Sequence, residues 1–537
     1  MIILGVCNAN DSGAALLVDN KVVASANEER FTRQKLIRAF PYRSIEYVLK
    51  ASNISIQDVD WIGCGAWNGI DIEKTFPRIV EDIFYQVDHE TEETRTLIYQ
   101  RIKATGASDT FYKNEMFNCL CEMGVSNSKI VFCDHHLSHA LTAFYPSPFV
   151  EAIVCCADGR GDYRSVTLWK ASRTNGLNLL DFSSELASPG AMYGFVTKIV
   201  GFTPNRHEGK ITGLAARGKE SKAYQILKTG FFYDKRNNRL VSKIGRNYTP
   251  FTMTEFEPLK EKLSDFSRED ISWAAQRLLE ETLIDFISPY LSSHPEGSVN
   301  LCLSGGCMSN VRLNYCLEQI PQIKNTYVFP AMGDGGNALG GGINVAVIKG
   351  KAQWIEMPTV YLGPEYSNSE IERTLKNSDL AYERIEGGQK ARLAAELIAD
   401  NCIVGWFQGR MEYGPRALGS RSILASPTDP SINDSLNRRL QRSEFMPFAP
   451  VTTERLAPLC FDAWEPDKIA SKFMTICYTC KPVMKERCPA VVHVDNTARP
   501  QVIFRDENPD YYDVVNAYHD ITGNLCIINT SFNHHEE

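Results

Sequence analysis

Three of the ten histidines of this chain fall within five residues, in the run Asp134-His135-His136-Leu137-Ser138-His139. His135 and His139 stand at positions i and i+4, so a helix through them puts both imidazoles on one face, where one metal ion can take both. The plain alternative is two unrelated polar residues on a helix, and a metal needs further ligands. Asp158, in Asp158-Gly159-Arg160-Gly161-Asp162, and Asp334, in Gly333-Asp334-Gly335-Gly336, each read as lying in a glycine-flanked turn after a strand and are the carboxylates best placed to join them. The alternative for each aspartate is capping of its own turn. A mixed histidine and aspartate set suits a divalent iron, manganese or zinc better than calcium.

A second group of residues is cationic or amidic. Lys210, in Arg206-His207-Glu208-Gly209-Lys210, is a compact cation beside glycine, a type that meets phosphate, although most lysines beside glycine do nothing of the kind. Gly305 and Gly306 follow an apolar run and precede a helical stretch, an arrangement that leaves backbone N–H groups facing outward for an anion. Further on come Gly414-Pro415-Arg416-Ala417-Leu418-Gly419-Ser420-Arg421, the arginines Arg438, Arg439 and Arg442, the stretch His493 to Arg499, and Asn529-Thr530-Ser531-Phe532-Asn533. Arginines fixed by Gly and Pro turns suit two-pronged recognition of phosphate or carboxylate, and Asn amides with Ser hydroxyls can read a small planar group such as a carbamoyl.

The elements that must position these residues follow from apolar periodicity and punctuation. Ile2 to Val6, Ala14 to Val18 and Val22 to Ala26 are short apolar runs parted by turn residues, predicting a β-meander. Ala152 to Ala157, an acidic turn at Asp158 to Asp162, and Ser165 to Trp169 repeat that grammar, which predicts a duplicated architecture. Strands are expected again at Val299 to Leu303 and near Phe329, each running through glycine into a helix. Proline and glycine between Met357 and Pro364 mark a boundary, giving domains 1–356 and 357–537. The second holds a helix over Ser369 to Lys376, another over Arg392 to Ala399 and a strand over Ile403 to Phe407.

With 537 residues the chain is long enough for two to four domains at roughly 100 to 200 residues each. Hydrophobic residues make up 43% and charged residues 23%, and no window approaches the ~20 apolar residues of a membrane span, so a soluble protein with no membrane partner is expected. The opening residues lack a basic segment and are interrupted by Asp11, which argues against a signal peptide and for a cytoplasmic location. Sixteen scattered cysteines fit reduced thiols, and the one C-x-x-C, Cys477 to Cys480, has no partner pair at zinc-site spacing. The net charge of −8 gives no bulk attraction to nucleic acid.

Taken in order, NDSGAALLVDN, EERFTRQK, HHLSH, EGKITGLA, GDGGNALGGG, GWFQGRMEYGPRALGSRSIL, MPFAP, HVDNTARPQ and NTSFN resemble the O-carbamoyltransferases of the nodulation-protein and tobramycin type over nearly the whole chain. The resemblance implies an α/β protein: an N-terminal actin-like ATPase domain, and a C-terminal α/β domain similar to the threonylcarbamoyl-adenylate synthase fold. It implies ATP and carbamoyl phosphate as reactants, carbamoyl-adenylate as intermediate, and transfer of the carbamoyl group to a hydroxyl of a small-molecule acceptor. An aminoglycoside, a macrolide or a saxitoxin-type alkaloid is such an acceptor, and a homodimer is one expected form of the protein. By the same resemblance His135, His139, Asp158 and Asp334 hold one divalent metal, Lys210, Gly305, Gly306 and Asn310 lie near nucleotide, and Arg416, Arg421, Arg499, Asn529 and Ser531 line the adenylate site.

Two departures from the family pattern stand out. Where the family has His-Asp this chain has Asn10-Asp11, and that histidine is the expected acceptor of the substrate hydroxyl proton, a role asparagine cannot fill near pH 7. The favoured reading is an inactivating substitution that lets the intermediate persist; the other places the base elsewhere, at Asp11 or a metal-bound hydroxide. Family members also continue beyond NTSFN, so a truncated C-terminal end is expected. An actin-like small-molecule kinase and a catalytically impaired nucleotide-binding module are the rivals; release of AMP rather than ADP excludes the first, and transfer by the Asn10→His variant excludes the second.

Overall fold

Two compact units make up the chain, Met1–Met357 and Pro358–Glu537. The computed structural model describes residues 1–67, 92–242, 257–385, 388–442 and 445–533. The first unit opens on β1 (Ile2–Cys7), β2 (Gly13–Val18) and β3 (Lys21–Asn27), paired antiparallel as the predicted meander. On its other side β1 pairs parallel with β4 (Trp61–Cys64), and β4 with β5 (Ile130–Phe132), so the sheet runs β3-β2-β1-β4-β5. Parallel neighbours need a crossover, supplied before β4 by the helix Tyr42–Ala51 and before β5 by the helix Glu92–Glu122. Ile45, Val48 and Leu49 of the first crossover bury against Leu4, Leu16 and Ile62 of the sheet.

The second sheet is built the same way. Antiparallel β6 (Glu151–Gly161), β7 (Arg164–Ser172) and β8 (Gly176–Ser184) come first, then a separate hairpin of β9 (Phe231–Asp234) and β10 (Arg239–Ser242). β11 (Val299–Ser304) then pairs parallel with β6, and β12 (Ile323–Val328) parallel with β11, giving β12-β11-β6-β7-β8. Strand for strand and sense for sense this repeats the first sheet, so the duplication read from the sequence is present and the unit has the actin-like topology.

The two halves exchange helices. His135–Phe144, which follows β5, packs on β6 and β11 of the second sheet, and Asn337–Gly350, which follows β12, packs on β1 and β4 of the first. The two helices also pack on each other. Their contacts are backbone on backbone: a Cβ on Gly63 would lie 2.0 Å from the Gly341 carbonyl oxygen, and one on Gly340 would lie 2.5 Å from that of Ser138.

One predicted turn is corrected. The chain does not reverse over Asp158 to Asp162; β6 runs on to Gly161 through a register shift after Ala157, and the reversal falls on Asp162 (φ 44°) and Tyr163 (φ 65°). Two successive positive φ angles match the twist of a tight hairpin, so the turn is two residues long and Asp158 sits in the irregular end of a strand, where a bulge re-aims a side chain.

The second unit centres on a mixed sheet of β13 (Val404–Phe407), β14 (Arg421–Ala425), β15 (Ala449–Thr453), β18 (Gln501–Ile503) and β19 (Ile527–Ser531), in the order β13-β14-β19-β15-β18. β16 (Tyr478–Thr479) and β17 (Thr497–Ala498) form a small separate pair. The helix Asn368–Lys376 starts at a capping box in which Ser367 and Glu370 bond each other's backbone amides. The helix predicted from Arg392 begins three residues earlier, at Gln389, and packs on the helix Pro509–Thr522. No described helix is long and apolar enough to cross a membrane.

Candidate active site

Asp134 caps the helix His135–Phe144, its carboxylate accepting the Leu137 amide at 2.8 Å, which fixes where the helix begins and so where His135 points. His135 and His139 turn toward Asp158 on β6 and Asp334 after β12, and one ligand atom from each of the four lies within 4.8 Å of the others. His139 Nε2 is 3.0 Å from Asp158 Oδ2, and His135 Nε2 is 3.4 Å from the same oxygen and 3.3 Å from Asp334 Oδ1. Second contacts set the tautomer of His139. The Ser304 hydroxyl donates to the Met332 carbonyl at 3.1 Å, so its oxygen accepts from His139 Nδ1–H at 3.2 Å, leaving the Nε2 lone pair for the cluster.

Electrostatics test whether these residues fit a metal. Burial alone pulls both imidazoles toward the neutral form, but Asp334 and Asp158 outweigh it and raise their affinity for a proton. Burial likewise pushes Asp158 up, and the two imidazoles hold it well below the usual carboxylate range. A centre that draws a proton so strongly draws a cation, and two nitrogens with two carboxylate oxygens are a transition-metal donor set. His136, the third histidine of the run, is held neutral by burial, then by His135 and His139, and neither of its nitrogens has a hydrogen-bond partner among the described residues.

Asn10 and Asp11, the pair that stands where the family has His-Asp, part company. Asn10 is exposed at the β1–β2 turn, whereas Asp11 adopts a positive φ of 57° and turns back toward the cluster, where a Cβ on Gly335 would lie 3.4 Å from its own. Burial, then the charges of Glu29 and Asp334, push the Asp11 carboxyl up to about 7. Gly305 has φ 95°, and a Cβ there would lie 2.3 Å from the Ala157 carbonyl oxygen, while one on Gly306 would meet Asp158 Oδ1 at 3.1 Å. The glycine loop is thus pressed against the strand that carries Asp158.

Asn310 is engaged by its own unit. Its Oδ1 caps the following helix through the Leu313 amide at 3.0 Å, and its Nδ2 donates to Gln276 Oε1 at 2.8 Å. Lys210 is buried on the helix Glu208–Ala215, with Nζ 5.4 Å from the Phe202 ring centre.

In the second unit the loop carrying Arg416 is held from several sides. Oε1 of buried Glu412 accepts the amides of Leu418, Ser420 and Arg421 at 2.8, 2.7 and 3.1 Å, and the Leu418 carbonyl accepts from Gln501 and from the Tyr361 hydroxyl, each at 2.8 Å. Asn529 Nδ2 donates to the Ala417 carbonyl at 2.9 Å, while its buried Oδ1 has no partner among the described residues. Ser531 sits two residues further along β19 and accepts from Arg442 at 2.8 Å; Arg499 is half-buried just before β18. Arg421 is buried, and its two terminal nitrogens donate to the carbonyls of Gln408, Ser420, Pro364 and Gly409 at 2.7 to 3.1 Å, which ties the surrounding loops together. Ser304 and Glu412 were not singled out in the sequence, because nothing in a lone serine or glutamate announces a partner 165 residues away or three amides within nine.

Such a chain is of the class of two-unit α/β proteins whose first unit is a duplicated actin-like domain. Residues 2–343 match the family model described as Carbamoyltransferase N-terminus and residues 395–537 the one described as Carbamoyltransferase C-terminus, and the chain belongs to this carbamoyltransferase family. It is 31% identical to Nodulation protein NolNO of Sinorhizobium fredii over 98% of this chain and 75% of that one. It is 34% identical to an uncharacterised protein of Methanocaldococcus jannaschii over 82% of this chain and 76% of that one. Among solved structures, component A of (R)-2-hydroxyglutaryl-CoA dehydratase from Acidaminococcus fermentans is 14% identical with a TM-score of 0.36, covering 64% of this chain and 97% of that one, too loose a match to bear on function.

Proposed function

We propose that this carbamoyltransferase works in two steps, one in each unit, with ATP consumed in the first step. In the second unit carbamoyl phosphate, ATP and water give carbamoyl-adenylate, pyrophosphate and phosphate; in the first, the alcohol oxygen of a small natural-product acceptor attacks the carbamoyl carbon and AMP leaves. Arg416, on a loop stiffened by Glu412, and Arg499 take phosphate oxygens, with Ser531 beside them, and the open Oδ1 of Asn529 suits the carbamoyl NH₂. The backbone at Gly305 and Gly306, with Lys210, lies toward the nucleotide. His135, His139, Asp158 and Asp334 would hold a divalent metal, which supplies polarisation of the carbamoyl oxygen when bound.

The observation that carries this reading is the placement of two different polar assemblies, one built from imidazole and carboxylate and one from an arginine loop, in separate compact units. With labelled carbamoyl phosphate, ATP and a panel of alcohols, the product is expected to carry the label and the nucleotide to end as AMP. Arg416→Ala is expected to abolish pyrophosphate release, and His135→Ala to spare it while blocking transfer. Equal loss of both steps in both variants, or ADP as the product, would overturn the reading.

A further inference from the structure

Arg38 lies outside every motif assigned so far, and two of its guanidinium nitrogens are buried without a partner among the described residues. Its guanidinium carbon sits 3.5 Å from the ring centre of Tyr112 and 5.0 Å from that of Trp67. Those two rings stack on each other at 5.9 Å, and Trp67 in turn lies 6.3 Å, centre to centre, from the His135 imidazole. Trp67 is itself fixed, its Nε1–H donating to Asn8 Oδ1 at 2.8 Å, while Asn8 donates to the Tyr112 carbonyl and to Glu115, each at 3.0 Å. Trp67 therefore borders both Arg38 and the His/Asp cluster.

The guanidinium rests against both rings, yet Nε and Nη2 are buried without a hydrogen-bond partner among the described residues. An arginine does not lose its proton to escape this, and leaving charged donors unmet destabilises the fold. Asp109 and Glu185 are already taken. Both oxygens of Asp109 accept from Arg160, at 2.8 and 2.9 Å, and Glu185 accepts from Arg160 at 3.0 Å. Adjacent Nε–H and Nη2–H groups form the edge of the guanidinium that grips two oxygens of one phosphate or carboxylate.

We propose that Arg38 is a binding residue for an oxyanion of the ligand that reacts at the His/Asp cluster, presenting Nε–H and Nη2–H to two of its oxygens. This inference rests on the two-step reading above for the identity of that ligand. The oxyanion is either the phosphoryl group of the carbamoyl donor or an acidic substituent of the acceptor alcohol. A merely structural role as a cation between two rings makes the opposite prediction about stability, since losing it would then weaken the fold.

Crystals of the full chain soaked in tungstate, a tetrahedral oxyanion visible by anomalous scattering, are expected to show the ion within hydrogen-bond distance of Arg38 Nε and Nη2, and no ion at that place in Arg38→Gln. Arg38→Met, which keeps length and contact with the rings, is expected to melt at or above the temperature of the parent. In the transfer assay Arg38→Gln is expected to raise KM ten- to a hundredfold for the carbamoyl donor or for the acceptor, and which of the two rises names the source of the oxyanion. No tungstate at Arg38, or a clear fall in melting temperature for Arg38→Met, overturns the proposal. Because the tungstate site is read without turnover, a chain that binds the ion at Arg38 but makes no carbamoyl product would sink the two-step reading and leave this one standing.

Discussion

Asp162 is a carboxylate that solvent does not reach, and it accepts the His135 amide at 2.8 Å just where the helix His135–Phe144 begins. Burial, and then the charge of Asp134, push its carboxyl up to about 7. The sign of the pH effect follows. An unfolded aspartate titrates near pH ~4, so the stability that protonation of Asp162 contributes is fully present below that pH and is lost as pH rises through about 7. Asp162→Asn keeps an oxygen for the His135 amide and never ionises. Its melting temperature is therefore expected to match the parent at pH 4 and to exceed it increasingly toward pH 8, read by calorimetry; parallel curves would count against it. At the other end of the cluster, Asn10 is exposed where a proton acceptor is expected. Asn10→His is expected to speed transfer from preformed carbamoyl-adenylate by about 10² to 10⁴ without changing pyrophosphate release. Equal rates in a single-turnover assay would move the proton-acceptor role to Asp11.

At the scale of elements, the helix Asn337–Gly350 was readable as a small-residue helix, but why its residues are small was not. Gly5 and Gly63 on the strands and Gly340 and Gly341 on the helix bring backbone against backbone, so side-chain volume here is forbidden by the approach itself. Gly63→Ala is expected to destabilise the chain by about 1 to 3 kcal/mol or more, because a rigid carbonyl rather than a movable side chain stands in the way. Gly209→Ala, at an exposed helix position with open space around its Cβ, is expected to change stability by less than ~1 kcal/mol. Chemical denaturation of both variants separates the cases. The meander and the helix carrying His135 and His139 were legible because alternation and the i, i+4 pair are local signals. The bulge that carries Asp158 was not, since glycines and aspartates in Asp158 to Asp162 read equally as a turn, and only pairing with β7 decides that the strand continues to Gly161.

Over the whole molecule the sequence showed that two similar sheets exist and which residues gather, but not how the halves interlock, because the contacts that do it join residues far apart in the chain, 198 positions for His139 and Asn337 and 327 for Cys7 and Asp334. For the same reason the sequence did not show that Arg421 holds backbone carbonyls of its own unit or that Asn310 caps a helix. The exchange of helices between the halves reaches into the protein's history. The helix that ends the first repeat lies on the second sheet, and the one that ends the second lies on the first. A single repeat has its own crossover helix for one face of its sheet but nothing of its own for the other, and could have closed that face only by embracing a twin. His135 and His139 come from one of the traded helices, Asp334 from just ahead of the other, and Asp158 from the strand between. The centre is therefore younger than the repeat that frames it: it had no place to exist until two copies had met.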